Sequence, residues 1–130
     1  LIATIAAINS RLNPITTSHL DDSVQTQVEC IRVIFLDNQN GVLGYKTLFQ
    51  GTIDGAAVYP REIVKAVLDN NSASVILAHN HPSGTAMPSE ADKRITTRVI
   101  QALDTIDVRV LDHLVVGGID IVSFAERGLL

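Results

Sequence analysis

Cysteine is almost missing from this sequence: Cys30 stands alone among 130 residues, so no intrachain disulfide can form. It falls inside an apolar run and reads as a small buried hydrophobe. Long hydrophobic runs are missing as well. None approaches the ~18 residues of a membrane-spanning helix, and no charged, then apolar, then small-residue leader occurs. A cytoplasmic protein without a membrane partner is the expectation. Basic excess is also lacking. Ten Lys and Arg face fourteen Asp and Glu, and the formal net charge of -4 supplies no global attraction for nucleic acid. Neither G-x-G-x-x-G nor G-x-x-x-x-G-K-[ST] is present, which argues against a dinucleotide-binding or P-loop enzyme.

What is present is material for one core. Apolar residues make up 46% and charged residues 18%, a balance that excludes wholesale disorder. A chain of 130 residues suits a single domain. Residues 1–12 are apolar enough for a short helix, which Asn13-Pro14 should end, and residues 16–26 read as loop. Residues 28–36 (V-E-C-I-R-V-I-F-L) suit a largely buried strand. Asp37 to Gly41 supplies a turn, and residues 42–49 pair back as an antiparallel strand. Gly51, Asp54 and Gly55 mark a second turn before a short strand at 56–59.

Pro60 then opens a helix over 60–70, with Ile63, Val64, Val67 and Leu68 as its apolar stripe. Residues 73–78 (A-S-V-I-L-A) have the length of a buried strand. Pro82, Gly84 and Pro88 force a loop, and a further helix starts at Ser89, its N-cap, with Ile95, Val99, Ala102 and Leu103 buried. Residues 108–116 form a strand, Gly117-Gly118 a hairpin turn, and residues 119–124 the return strand. The expected architecture is α/β (α+β), a mixed β-sheet sandwiched by helices.

Chemistry concentrates in residues 78–92, A-H-N-H-P-S-G-T-A-M-P-S-E-A-D. Residues two apart on a strand face the same side, so His79 and His81 aim both imidazoles into one cleft, with Asn80 facing away. Two polar rings at the end of an apolar strand need something to satisfy them. Asp92, on the first turn of the next helix, can return to the same point. Two imidazoles and a carboxylate, with a position left for water, are what a catalytic zinc requires. The histidine pair alone is equally an ordinary exposed or core pair. The strand before it and the capped helix after it favour the metal.

A zinc hydrolase also needs a proton carrier. Glu29, just inside an otherwise apolar strand, is the best candidate, against the plainer reading of a surface residue at a strand start. Glu62 and Glu90 are the alternatives. Ser89 has two roles open to it: capping the helix, or donating a hydrogen bond to a carbonyl oxygen under attack. His113, amid aliphatic neighbours, reads as a structural histidine, Arg109 and Arg127 as surface or salt-bridge residues, and Asn80 as a brace for the loop that Pro82 and Gly84 shape.

These residues resemble the signature of the JAB/MPN metalloprotease superfamily: a Glu upstream, then H-x-H, seven residues, and S-x-x-D. Here His79-Asn80-His81 is followed by residues 82–88, then Ser89, Glu90, Ala91 and Asp92. The resemblance implies a JAB/MPN-like, cytidine-deaminase-like fold. It further implies zinc held by His79, His81 and Asp92, a catalytic Glu29, and Ser89 stabilising the transition-state oxygen. The implied reaction is hydrolysis of an amide or isopeptide bond in a peptide or protein.

More closely, the chain resembles the C-terminal domain of the bacterial RadC family, also called UPF0758. The shared blocks are F-L-D-N-Q at 35–39, L-F-Q-G-T-I at 48–53, Y-P-R-E at 59–62, A-H-N-H-P-S-G at 78–84, R-V-L-D-H-L-V-V-G at 109–117 and S-F-A-E-R-G at 123–128. Longer family members carry a helix-hairpin-helix region ahead of this domain. Residues 1–26 are therefore expected to be its last helix and linker, and residues 27–130 the hydrolase domain. The family name suggests a rival reading, a DNA-associated repair or binding protein whose metal site is structural. A metal-dependent nuclease is a second rival. Oligomeric state is open, and a homo-oligomer fits.

Overall fold

The computed structural model describes residues 29–50 and 58–130. The helix expected over 1–12, the loop over 16–26 and the turn around Gly51, Asp54 and Gly55 lie outside the described residues. So does most of the strand expected at 56–59; Val58 and Tyr59 are irregular, and Tyr59 is the N-cap of the following helix.

Branched and aromatic residues build β1 (Cys30–Leu36) and β2 (Val42–Gln50), which pair antiparallel. Between them Asp37 folds its carboxylate back to accept the N–H groups of Gln39 and Gly41, while Asn40 takes a left-handed conformation (φ 60°). Helix α1 (Pro60–Asp69) starts on the proline, whose missing N–H costs nothing in a first turn. It ends where Asn70 donates its side-chain amide to the carbonyl of Ala66. Strand β3 (Ser74–Asn80) is buried along its whole length, as a central strand covered on both sides must be. Helix α2 (Glu90–Asp104) follows, then β4 (Arg109–Gly117) and β5 (Asp120–Ser123).

The five strands form one mixed sheet in the order β2-β1-β3-β4-β5. Strand β3 is antiparallel to β1 and parallel to β4, with α2 as the crossover. Strand periodicity divides the apolar residues between two faces. Ile31, Val33, Phe35, Val75 and Leu77 pack with Ile63, Ala66 and Val67 of α1 and with Ile95, Val99 and Leu103 of α2. Both described helices therefore cover the same face. Ile34, Leu36, Ile76, Leu111 and Leu114 form a second, smaller cluster on the opposite face. No helix among the described residues is long and apolar enough to cross a membrane.

One turn differs from the sequence expectation. Gly117 pairs with Asp120 inside the ladder, so the hairpin turn is Gly118-Ile119 and the return strand is Asp120–Ser123. Gly118 takes the left-handed conformation of this turn (φ 59°), which its missing Cβ permits. Gly117 is small for another reason, the close passage of residues Thr85 and Ala86 beside it.

Candidate metal centre

His79 has the strand parity of Val75 and Leu77, so its ring points to the helix-covered face, where α2 begins. His81 lies one residue beyond β3 but keeps the alignment, because its N–H donates to the carbonyl of Val116 on β4 (2.7 Å). The two rings meet edge to face with centroids 4.7 Å apart. Asn80, between them, turns away and accepts the N–H of Cys30 (2.7 Å). This bond braces the start of β1, next to Glu29, whereas the sequence suggests a brace for the loop.

Asp92 arrives by way of a capping box. Ser89 is the N-cap of α2, and its hydroxyl accepts the N–H of Asp92 (3.0 Å). In return Asp92 Oδ2 accepts the N–H of Ser89 (2.8 Å). That oxygen also lies 2.9 Å from His81 Nε2, and Oδ1 lies 3.2 Å from His79 Nδ1. A capping box at a helix start is a local event, but here it anchors a carboxylate between two histidines from a neighbouring strand. Burial pushes the Asp92 carboxyl up. The nearby His79 ring and the hydrogen bonds from His81 and the Ser89 N–H outweigh it, and the group is held well below the usual carboxylate range.

His81 Nδ1 lies 2.8 Å from the carbonyl oxygen of Thr85. A carbonyl only accepts, so Nδ1 carries the proton, and Nε2 is the nitrogen whose lone pair is available in the neutral ring. The bond to Asp92 raises the His81 pKa; burial opposes it, and the Thr85 carbonyl adds to the rise. A backbone acceptor that orients a ligating imidazole in this way is common around metal ions.

The chemistry of the donor set fits a metal. Ligand atoms of His79, His81 and Asp92 all lie within 4.8 Å of one another. Zinc–ligand bonds of about 2.0–2.2 Å at tetrahedral angles put neighbouring donors roughly 3.4 Å apart, and each imidazole lies at a comparable distance, 2.9 or 3.2 Å, from one of the two Asp92 oxygens. His79 is 1% exposed, and its Nδ1, though 3.2 Å from Asp92 Oδ1, lacks the geometry of a hydrogen bond in spite of that burial. An unsatisfied buried donor or acceptor costs roughly 1–3 kcal/mol, which a coordinated cation at this cluster would offset.

Glu29 stands at the mouth of the site, its Oε2 3.5 Å from His79 Nε2 and its side chain 29% exposed. Glu62 does not share the site. It lies on α1 within ion-pair distance of Arg61 and Lys65. Glu90 is 78% exposed and pairs with Lys93 at 3.2 Å. Glu29, His81, Ser83, Thr85, Met87, Ser89 and Asp92 line an open cleft of about 310 Å³.

Beneath the cleft is a polar stack that the sequence half disclosed. His113 is fully buried, as expected of a structural histidine, and stacks on Phe124 with centroids 4.5 Å apart. Thr96 donates to the carbonyl of Asp92 (2.8 Å), so at 2.6 Å it accepts from His113 Nδ1. Burial depresses the His113 pKa to about 3, and the neighbouring His79 charge adds to this. Asp112, beside it, accepts from Ser123 Oγ (2.6 Å) and the N–H of Ala125, fixing the turn after β5. Thr85 and Thr96 carried no signal in sequence, since one acts through its backbone carbonyl and the other through a contact with His113 seventeen residues away, and Gly117 read only as part of a hairpin turn.

Comparison with known proteins points to one family. A family model described as RadC-like JAB domain matches residues 9–129. A UPF0758 protein of Cellvibrio japonicus is 64% identical over 102 residues, 78% of this chain and 46% of its own length. Another from Aliivibrio salmonicida is 62% identical over 100 residues, 77% of this chain and 45% of its own. One from Vibrio cholerae is 60% identical over 102 residues. The chain thus spans a little under half the length of these relatives.

Proposed function

The chain belongs to the RadC-like JAB domain family, and from that premise we propose that it is a zinc-dependent hydrolase of amide or isopeptide bonds in a peptide or protein substrate. One observation carries the reading. Two imidazoles and a carboxylate converge at the carboxyl end of β3, with a second carboxylate 3.5 Å from one imidazole and a serine hydroxyl on the rim of the same cleft. His79, His81 and Asp92 would hold the ion. Zinc, when bound, supplies Lewis acidity and lowers the pKa of its water toward neutrality.

The remaining work falls to the chain's own groups. Glu29, 3.5 Å from His79 at the mouth of the cleft, takes the proton of the attacking water and returns it to the departing amine. Ser89 uses an acceptor lone pair for the N-cap and keeps its one O–H to donate. The two roles that the sequence left open for Ser89 are therefore compatible, and the hydroxyl is free to stabilise the carbonyl oxygen as charge develops. Nucleic acid is not the proposed partner, since the chain carries a net charge of -4.

Metal analysis of the purified chain tests the proposal, beside the His79→Ala/Asp92→Ala double variant and Glu29→Gln. We expect about one zinc per chain in the parent and in Glu29→Gln, and none in the double variant. Hydrolysis of a quenched-fluorescence peptide and isopeptide library should be lost in both variants. A parent protein free of zinc after refolding in excess metal would overturn the metal site. Hydrolysis undiminished in Glu29→Gln would overturn the role of Glu29.

A further inference from the structure

Beyond the metal cleft, on the other side of Met87, lies a second recess of about 380 Å³ lined by Met87, Pro88, Lys93, Arg127 and Leu129. Met87 is common to both, so the segment Met87-Pro88-Ser89 forms the wall between them and presents Ser89 to the metal side. The two hollows differ sharply in charge. Glu29 and Asp92 line the metal cleft, whereas both ionisable side chains of the recess are cations.

The two cations are not equally engaged. Lys93 is paired with Glu90 at 3.2 Å. Arg127 takes part in none of the ion pairs among the described residues. Its hydrogen bond runs from Nη1 to the sulfur of Met87 at 3.5 Å. A thioether is a weak acceptor, and a guanidinium offers five donors in a fork that matches a carboxylate. The bond leaves most of that capacity unused while holding the head group over the wall of the metal cleft. Arg127 is carried on the turn that follows β5, which Ser123 and Asp112 pin to the sheet: the N–H of Arg127 donates to the carbonyl of Ser123, and Ser123 Oγ donates to Asp112. The backbone from which Arg127 projects is thus set by the fold.

We propose that this recess is a substrate subsite for a carboxylate, with Arg127 as its clamp, Lys93 as a second cation, and Met87, Pro88 and Leu129 packing against the aliphatic part of the same residue. The inference rests on the hydrolase reading, because it takes the neighbouring cleft as the place where the bond is cut. An extended peptide whose carbonyl lies beside Ser89 would carry its next residue across Met87 into the recess, since successive residues advance about 3.3–3.6 Å. The carboxylate belongs either to an acidic side chain or to the end of the substrate chain. The sequence alone suggested a surface or salt-bridge role for Arg127; the placement beside Met87 assigns it specificity.

Met87 is the single methionine of the 130 residues, so its 13C-labelled methyl group gives one resonance on the shared wall. The parent chain is titrated with acetyl-Ala-Ala bearing a free carboxylate, with acetyl-Ala-Glu-amide, and with acetyl-Ala-Gln-amide as the uncharged control. Titrations run with zinc and after chelation, because a free carboxylate also binds zinc directly. We expect saturable methyl shifts with at least one carboxylate peptide, the first or second identifying the source, and none with the control. Affinity should fall about fivefold or more in Arg127→Gln and be partly restored in Arg127→Lys. Shifts unaltered in Arg127→Gln, or equal for the uncharged peptide, would overturn the subsite. Persistence of the Arg127-dependent shift in a protein that takes up no zinc would uphold the subsite while refuting the hydrolase reading.

Discussion

Gly117 on β4 occupies a place beside Ala86 where no side chain fits: a Cβ built there would lie 2.4 Å from the Ala86 nitrogen and 2.4 Å from the Thr85 carbonyl carbon. The Thr85 carbonyl is the group that receives His81 Nδ1–H. The absence of a side chain at Gly117 therefore lets the loop approach the sheet closely enough to set one ligand's orientation. All three atoms closer than 3.0 Å, the Ala86 Cα included, are backbone, so nothing flexible can move aside.

Gly117→Ala should displace the loop and destabilise the chain by about 1–3 kcal/mol, the usual range for overpacking. It should also weaken zinc binding by roughly 10–100-fold, as loss of a group orienting a metal ligand does. Competition with a chromophoric chelator measures the affinity, and urea unfolding the stability. Zinc affinity unchanged from the parent would show that the Thr85 contact does not govern His81.

Ser89 can be divided into its two roles with two substitutions. Glycine serves as an N-cap almost as well as serine, whereas alanine costs about 1 kcal/mol. Ser89→Ala should lose that stability and Ser89→Gly only a few tenths of it. Both should lose roughly 10²-fold or more in kcat if the hydroxyl donates to the developing oxyanion. Activity that tracked stability across the pair would assign Ser89 to capping alone.

His113 predicts an acid sensitivity whose sign follows from its burial. Its pKa is depressed to about 3 in the folded chain, against about 6.5 when unfolded. Between these values the unfolded state holds the extra proton. Stability from this group is complete above about pH 6.5 and is lost as pH falls toward 3, by about 1.4 kcal/mol per pH unit. Urea unfolding of metal-free protein from pH 4.5 to 8 should show this slope, and His113→Gln should lack one proton's worth of it. Parallel profiles for the two proteins would contradict the assignment.

Much of the fold was legible because its determinants are local. The run of branched and aromatic residues over 30–36, the proline at position 60 and the Ser89–Asp92 cap each act within a few residues, and the elements formed where they indicate. The hairpin turn shifted by one residue because two adjacent glycines offered two places for a left-handed residue; the close passage of Thr85 and Ala86 accounts for the other glycine. The spacing of His79, His81, Ser89 and Asp92 was likewise readable, since strand parity and a helix's first turn are short-range rules.

What the sequence could not set was which distant groups come to lie beside those residues. Pairing of β1 with β3 brings Glu29 within 3.5 Å of His79, fifty residues away, and leaves Glu62 and Glu90 outside the cleft. The parallel β3–β4 pair places Gly117 under the metal loop and His113 against Thr96. Short-range rules fix the faces and ends of single elements. Register between strands and the packing of a helix on a sheet depend on the whole core, and these decided which carboxylate stands at the candidate metal centre and that Arg127 faces Met87.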